Sequence, residues 1–389
     1  MAGPGRCHIL LLSPLKRESG NFTTAGRIRS HFVNDEWVCH MKDAREFQSA
    51  AELANYIEVN NIAAVLGLHA LHSGKILCDL QCTIPYIIIL GGTDVNEHCK
   101  DQQSSNIMAQ ALRGASHIVS FCSPMTEQLL YVWPELEVNR QKILKIPQAV
   151  VTEPSTFSIH DYLHKHCGVG AIETVGSRAA AQVCRDKVKI VTLVAGIRPV
   201  KDPLFLVKAF SEWHTAGHKD FIFVIIGPTD SSQGQVRGKH AVVVEDDSYT
   251  LKFKNEINRS EGVIFIPGLL FGDTHATIQD SVAVVNTSLS EGMSGAVLEA
   301  MHLGTAVIVR DIPSNLAVVT HRHDGLVASS PKEFLDCLES LVQDTELYRM
   351  LTDNASATID KVHSNEQEKQ AYVGMVKDIL ADKSSHVRS

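Results

Sequence analysis

The sequence predicts an α/β protein made of two halves, each built on a parallel sheet. Short apolar runs alternate with amphipathic stretches, the rhythm of βαβ units. That rhythm stops over residues 151–186 and restarts near Lys189. The chain's 389 residues are enough for two domains of ordinary size.

In the first half, strands are expected at 8–13, 63–68, 86–90, 117–122 and 143–146. Helices are expected between them at 24–33, 44–60, 106–114 and 124–133. The opening run, Cys7-His-Ile-Leu-Leu-Leu12, is short and interrupted by His8. No small-residue cleavage site follows it, so it predicts a buried strand and not a signal peptide. In the second half, strands are expected at 189–194, 221–226, 263–267, 282–286 and 306–310, and helices at 203–213, 296–303 and 331–342. Two such halves suggest two Rossmann-like domains facing a central cleft, spanning 1–165 and 166–366. Residues 151–186 mix Gly, Ser, Thr, His and Cys and read as a linker with a long loop, and 233–239 as a shorter loop. A last amphipathic helix is expected at 367–380.

Composition narrows the function. Hydrophobic residues make up 44% and charged ones 21%, as in a globular enzyme. A net charge of −8 without Lys/Arg runs argues against a nucleic-acid partner. No apolar stretch is long enough to span a bilayer. The nine cysteines are scattered and form no Cys-x-x-Cys, so neither a disulfide framework nor a zinc site is expected. The 19 histidines show no metal-ligand spacing, and no metal is expected. Neither half carries Gly-x-Gly-x-x-Gly, so no nicotinamide or flavin cofactor is indicated. Glycosylation patterns at Asn21 and Asn286 fall in segments assigned to the cleft, which favours a cytoplasmic protein.

The chemistry concentrates at strand ends. After the strand at 282–286 comes Ser288-Leu-Ser-Glu-Gly-Met-Ser-Gly-Ala-Val-Leu-Glu, where Glu291 and Glu299 are separated by seven residues. One carboxylate sits in the loop and the other about two turns down a helix. Ligands of parallel α/β sheets sit at strand carboxyl ends, beside helix N-termini with free N–H groups. The second half opens with Val194-Ala-Gly-Ile-Arg-Pro-Val-Lys201. Gly196 makes the turn, and Arg198 and Lys201 stand just before a helix. Two cations there oppose the helix dipole, which a bound diphosphate would compensate. Near the start, Ser19-Gly-Asn-Phe-Thr-Thr-Ala-Gly-Arg27 has Gly20 for close backbone approach and Thr23 as an N-cap. His69 ends the strand at 63–68, and Leu90-Gly-Gly-Thr-Asp94 ends the next. Asp94 fits either a ligand hydroxyl or a turn cap. Glu245-Asp-Asp247 reads as a solvated acidic turn rather than a metal-binding Asp-x-Asp.

Together these motifs resemble the retaining glycosyltransferases called glycosyl transferases group 1. The match is carried by Glu-x7-Glu followed by Ala-Met-x-x-Gly, by Arg198-Pro-Val-Lys201 and by the Ser-Gly-Asn loop. Where that family often has Glu-Gly-Phe-Gly, this chain has Glu291-Gly292-Met293-Ser294. The resemblance implies the GT-B fold, with the terminal helix, 367–389, crossing back to the first domain. It implies sugar transfer from a nucleotide diphosphate sugar to an acceptor hydroxyl with retention, the donor being substrate rather than cofactor. Arg198 and Lys201 would hold the leaving diphosphate with N–H groups around Gly292 to Gly295. Glu291 would take sugar hydroxyls and Glu299 ribose hydroxyls. Gly20, Asn21 and His69 would border the donor, and Asp94 the acceptor side. A nucleotide-sugar epimerase and a non-catalytic sugar-nucleotide-binding protein share the fold and stay open at this point.

Overall fold

The computed structural model describes residues 6–15, 20–80, 84–167, 188–228 and 247–386. The expected loop at 233–239, Glu245 and Asp246, residues 16–19 of the Ser-Gly-Asn loop and most of the 151–186 segment lie outside the described residues. Contacts divide the chain into two units. One is Met1–Ala149 with Glu291–Met293 and His363–Ser389; the other is Val150–Ser290 with Ser294–Val362.

The first unit runs β1 (Cys7–Leu12), α1 (Gly20–His31), β2 (Trp37–Lys42), α2 (Ala50–Val59), β3 (Ile62–Leu68), α3 (Ala70–Leu77), β4 (Tyr86–Ile89), α4 (Gly92–Asn96), α5 (Gln102–Gly114), β5 (His117–Ser120), α6 (Ser123–Val132) and β6 (Ile143–Lys145). Its sheet is parallel, in the order β2-β1-β3-β4-β5-β6. Ile9 to Leu12, Val65, Leu66 and Ile87 to Ile89 are fully buried. Runs of this kind are what a sheet covered on both faces requires. Several elements differ from expectation, among them α3 and α4, which were not foreseen. β2 was not foreseen: it is an edge strand, with His40 and Lys42 only half-buried. The helix expected at 44–60 is two pieces, a 3-10 turn Ala44–Glu46 and α2, because Asp43 and Ser49 each cap a new start. Thr23 is no N-cap, since α1 already begins at Gly20.

The second unit runs α7 (Ile159–Cys167), β7 (Lys189–Val194), α8 (Val207–Thr215), β8 (Phe221–Ile226), α9 (Asp247–Ile257), β9 (Val263–Ile266), α10 (Phe271–Gln279), β10 (Ala283–Asn286), α11 (Gly295–His302), β11 (Val307–Arg310), α12 (Pro313–Leu316), β12 (Leu326–Ala328), α13 (Pro331–Gln343) and α14 (Thr345–Val362). Its sheet is also parallel, in the order β12-β11-β10-β7-β8-β9. Alternate residues of β7 and β8 face opposite ways. Val191, Leu193, Phe223 and Ile225 join one core, and Ile190, Ile222, Val224 and Ile226 another. Ile159 and Leu163 of α7 pack into the latter. For that reason the division falls after Ala149 and not at 165/166, and part of the expected linker is a helix packed on a sheet.

The last helix, α15 (Asn365–His386), belongs to the first unit. Its Glu368 accepts from Arg27 Nε at 2.8 Å and Nη2 at 3.0 Å, and from the Ala149 N–H at 3.0 Å. His31 Nε2 lies 2.9 Å away. Burial alone would raise the Glu368 pKa; His31, Arg27 and the Ala149 N–H outweigh it and push the carboxyl down to about 2.

Candidate active site

Strand order reverses between β7 and β10, and ligands of open parallel sheets bind at such switch points, beyond the strands' carboxyl ends. The loop after β7 carries Gly196, Arg198 and Lys201, and the loop after β10 leads to Ser294 and Gly295. The two loops are joined directly. Leu289 N donates to the Val200 carbonyl at 2.8 Å, and Thr287 Oγ1 to the Lys201 carbonyl at 3.0 Å.

The β7 loop gets its shape from a close approach. A Cβ on Gly227 would collide with the Ala195 carbonyl, so only glycine lets the two chains meet there. A 3-10 turn, Pro199–Lys201, follows, and the chain leaves it through Asp202 in the left-handed region at φ 44°. That strained residue is held by Arg310, which sequence reasoning missed. Arg310 Nη1 donates to Asp202 Oδ2 at 2.8 Å and to the Thr287 carbonyl at 3.0 Å, while its guanidinium lies 4.1 Å from the Phe205 ring centre. Arg198 is partly buried, and among the described residues its guanidinium has no hydrogen-bond partner. A Cβ on Gly196 would meet only Arg198 Nε, at 3.9 Å, so the packing does not demand glycine at that turn.

Asn286, at the end of β10, is 6% exposed. Its Nδ2 donates to Ser294 Oγ at 3.1 Å, and its Oδ1 accepts from Ser288 N at 3.3 Å and Asn315 Nδ2 at 3.1 Å. Ser294 is the N-cap of α11 but makes no side-chain capping bond. The first N–H groups of α11, from Gly295 on, thus keep their capacity for an anion. Glu299 lies further along α11. Its Oε2 is 3.8 Å from Nε2 of His275 on α10, a second residue not foreseen.

The tripeptide Glu291–Met293 counts with the first unit. Asn96 Nδ2 donates to the Glu291 carbonyl at 3.2 Å and Cys122 Sγ to the Gly292 carbonyl at 3.4 Å. Met293 packs against that unit's core. Gly292 is buried, and a Cβ there would fall 2.6 Å from Met125 Cε.

The first sheet reverses between β1 and β3. Gly20 and Asn21 open α1 on one side of that point, with open space around the Gly20 Cα. His69 ends β3 on the other, 3% exposed and at φ 73°, a costly conformation for a residue with a side chain. Asp94 has no exposure. It accepts from Ala70 N at 2.6 Å, Leu71 N at 3.1 Å and Gly91 N at 2.8 Å, and lies 2.7 Å from His69 Nδ1. Of the two roles open to it, this is the geometry of a cap. It closes the N-terminus of α3, where His69 supplies no side-chain bond. Burial would raise the Asp94 pKa; the His69 ring and the N–H groups of Gly91 and Ala70 hold it below the usual carboxylate range. His69 Nε2 meets Thr93 Oγ1 at 2.8 Å.

Folding also gathers His69, His72 and His98, with one ring nitrogen from each within 4.8 Å of the others. Burial and the neighbouring His69 lower the His72 pKa to about 4, so that ring is neutral near pH 7. Three imidazoles gathered in this way suit a divalent transition metal. Here, though, both ring nitrogens of His69 already face protein partners.

The architecture is that of GT-B glycosyltransferases. HepE of Anabaena, described in complex with UDP and glucose, superposes with a TM-score of 0.72 at 14% identity, over 96% of this chain and 100% of that one. Sucrose-phosphate synthase of Thermosynechococcus elongatus superposes at 0.71 and 15% identity, over 97% and 100%. Residues 179–358 match the family model of glycosyl transferases group 1. The Glycosyltransferase 1 domain-containing protein 1 of Xenopus tropicalis is 32% identical over 371 residues, covering 95% of this chain and 97% of that protein. The chain belongs to the glycosyl transferases group 1 family.

Proposed function

We propose that the chain moves a sugar from a nucleotide diphosphate sugar to an acceptor hydroxyl, with retention and without a metal. The carrying observation is the second sheet's switch point, where the Arg198–Lys201 loop is hydrogen-bonded to the loop that starts α11. HepE's description in complex with UDP and glucose supports a nucleotide diphosphate sugar as the class of donor.

The chemistry follows from charge. As the glycosidic bond breaks, negative charge grows on the leaving diphosphate and positive character on the sugar ring. Arg198, Lys201 and the first N–H groups of α11 stabilise the diphosphate, which is preorganised electrostatic catalysis. These donors supply the neutralisation that a divalent cation supplies elsewhere. Glu299 takes ribose hydroxyls and Glu291 sugar hydroxyls. His69, held by Asp94, presents a fixed ring on the acceptor-side unit. The acceptor attacks from the face the leaving group departs, which retains the anomeric configuration.

The test is donor turnover with a panel of nucleotide sugars, with and without a chelator, and the anomeric coupling of the product read by NMR. Wild type should turn over one donor, unaffected by the chelator. Arg198→Ala and Glu299→Ala should each fall by about 10²–10³-fold. Equal, negligible turnover by all three proteins would instead assign a binding role.

A further inference from the structure

His275 is buried to 0% exposure and has no role in the scheme above. The Glu153 backbone N–H donates to its Nδ1 at 3.0 Å. A backbone N–H can only donate, so Nδ1 accepts and the neutral ring carries its proton on Nε2. That Nε2 is buried without a hydrogen-bond partner. The nearest charged acceptor, Glu299 Oε2, stands 3.8 Å away, beyond hydrogen-bond reach. The Glu299 carboxylate, 15% exposed, likewise makes no hydrogen bond among the described residues.

The spacing is held from both sides. Consecutive residues of one strap pin the two helices: Glu153 N bonds His275 of α10, and Thr152 Oγ1 lies 2.8 Å from Nδ1 of His302 on α11. The Phe271 ring packs edge-on to His275 at 4.1 Å. A donor and an acceptor 3.8 Å apart can both bond a single oxygen standing beside them, about 2.8 Å from each. That oxygen must accept from N–H and donate to a carboxylate. A hydroxyl does both, whereas a carbonyl or phosphate oxygen does only the first.

We propose that His275 Nε2–H and the Glu299 carboxylate form a two-point clamp on one ribose hydroxyl of the donor, making His275 a specificity-determining residue for ribonucleotides over deoxyribonucleotides. This rests on the reading in which Glu299 meets the ribose. Removing the hydroxyl strands the buried Nε2–H and leaves the half-buried carboxylate without its donor, and sites built around a substrate hydroxyl reject analogues lacking it strongly.

The experiment is calorimetric binding of UDP, GDP and ADP to the full chain. The tightest ligand is then compared with its own 2′-deoxy and 3′-deoxy forms. One deoxy form should bind wild type about 10²-fold more weakly. His275→Phe should abolish that ratio by weakening the ribonucleotide alone, and His275→Gln, which keeps an N–H donor, should restore part of it. Thermal melting of each variant reports folding. If His275→Phe leaves the ratio intact, or weakens both forms equally, while Glu299→Ala abolishes it, the clamp is wrong and the ribose reading stands. If Glu299→Ala also leaves the ratio intact, or no nucleotide binds wild type, both are wrong.

Discussion

Polar groups gather at the switch points of both sheets, but they are spent differently. In the first unit they crowd against one another, with His69 Nδ1 facing Asp94 at 2.7 Å as an ion pair and not as an aligned hydrogen bond. Asp94 takes three backbone N–H groups and faces His69, whose other nitrogen meets Thr93. In the second unit, side chains of the same kind stand apart from protein partners. The Arg198 guanidinium, the Glu299 carboxylate and the His275 Nε2–H lack hydrogen bonds among the described residues. A closed network fixes the shape of its own loop. An open one has bonding capacity to offer a ligand, and a buried orphan is costly unless something takes it up.

The largest effects should come from opening the closed side. Asp94→Ala strands three buried N–H groups, and we expect a loss of about 3–5 kcal/mol in urea unfolding. Asp94→Asn keeps an acceptor and should lose less. A destabilisation below about 1 kcal/mol would erase the contrast between the units. Glu368→Gln should cost a similar 3–5 kcal/mol, since it leaves the buried Arg27 without its carboxylate. The wild-type pair also predicts an acid limb. The Glu368 pKa is depressed in the fold, from 4.5 to about 2. Its contribution is therefore complete above about pH 4.5 and drains away as pH falls toward 2. Acid titrations of wild type and Glu368→Gln should converge across that window.

The open side should respond in activity instead. Arg198→Ala should cut donor turnover by about 10²–10³-fold, with stability shifted by less than about 1 kcal/mol. Arg310→Ala lies between the two behaviours. It removes the tie on left-handed Asp202, and we expect about 1–2 kcal/mol by chemical denaturation, with a raised donor KM. Gly196→Ala should be smallest in stability, within about 0.5 kcal/mol, because its methyl meets only Arg198 Nε. A raised KM without unfolding would mark close ligand approach at that turn.

What could be read from sequence was what local pattern encodes. The strands at 189–194 and 221–226 match β7 and β8 end to end, because β8 is an unbroken run of β-branched and aromatic residues and β7 departs from one only at Lys189 and Leu193. β2 escaped because Trp37-Val-Cys-His-Met-Lys42 has a polar edge, and β12 because it is three residues long. α3 escaped for a different reason. It starts immediately after His69, with its cap on Asp94, so no neighbouring residue announces it. The site divides in the same way. Arg198, Lys201, Glu291 and Glu299 sit in contiguous motifs. His275 depends on Glu153, and Arg310 on Asp202 and Thr287, and no window of sequence brings such partners together.

The grip of α15 on the first unit also bears on how the protein is made. Arg27 leaves the ribosome 341 residues before Glu368. By the time Glu368 follows, every residue of the second unit has been synthesised. The domain begun first is thus the one completed last, and its exposed basic seam must wait in a nascent chain for a carboxylate that only the tail delivers.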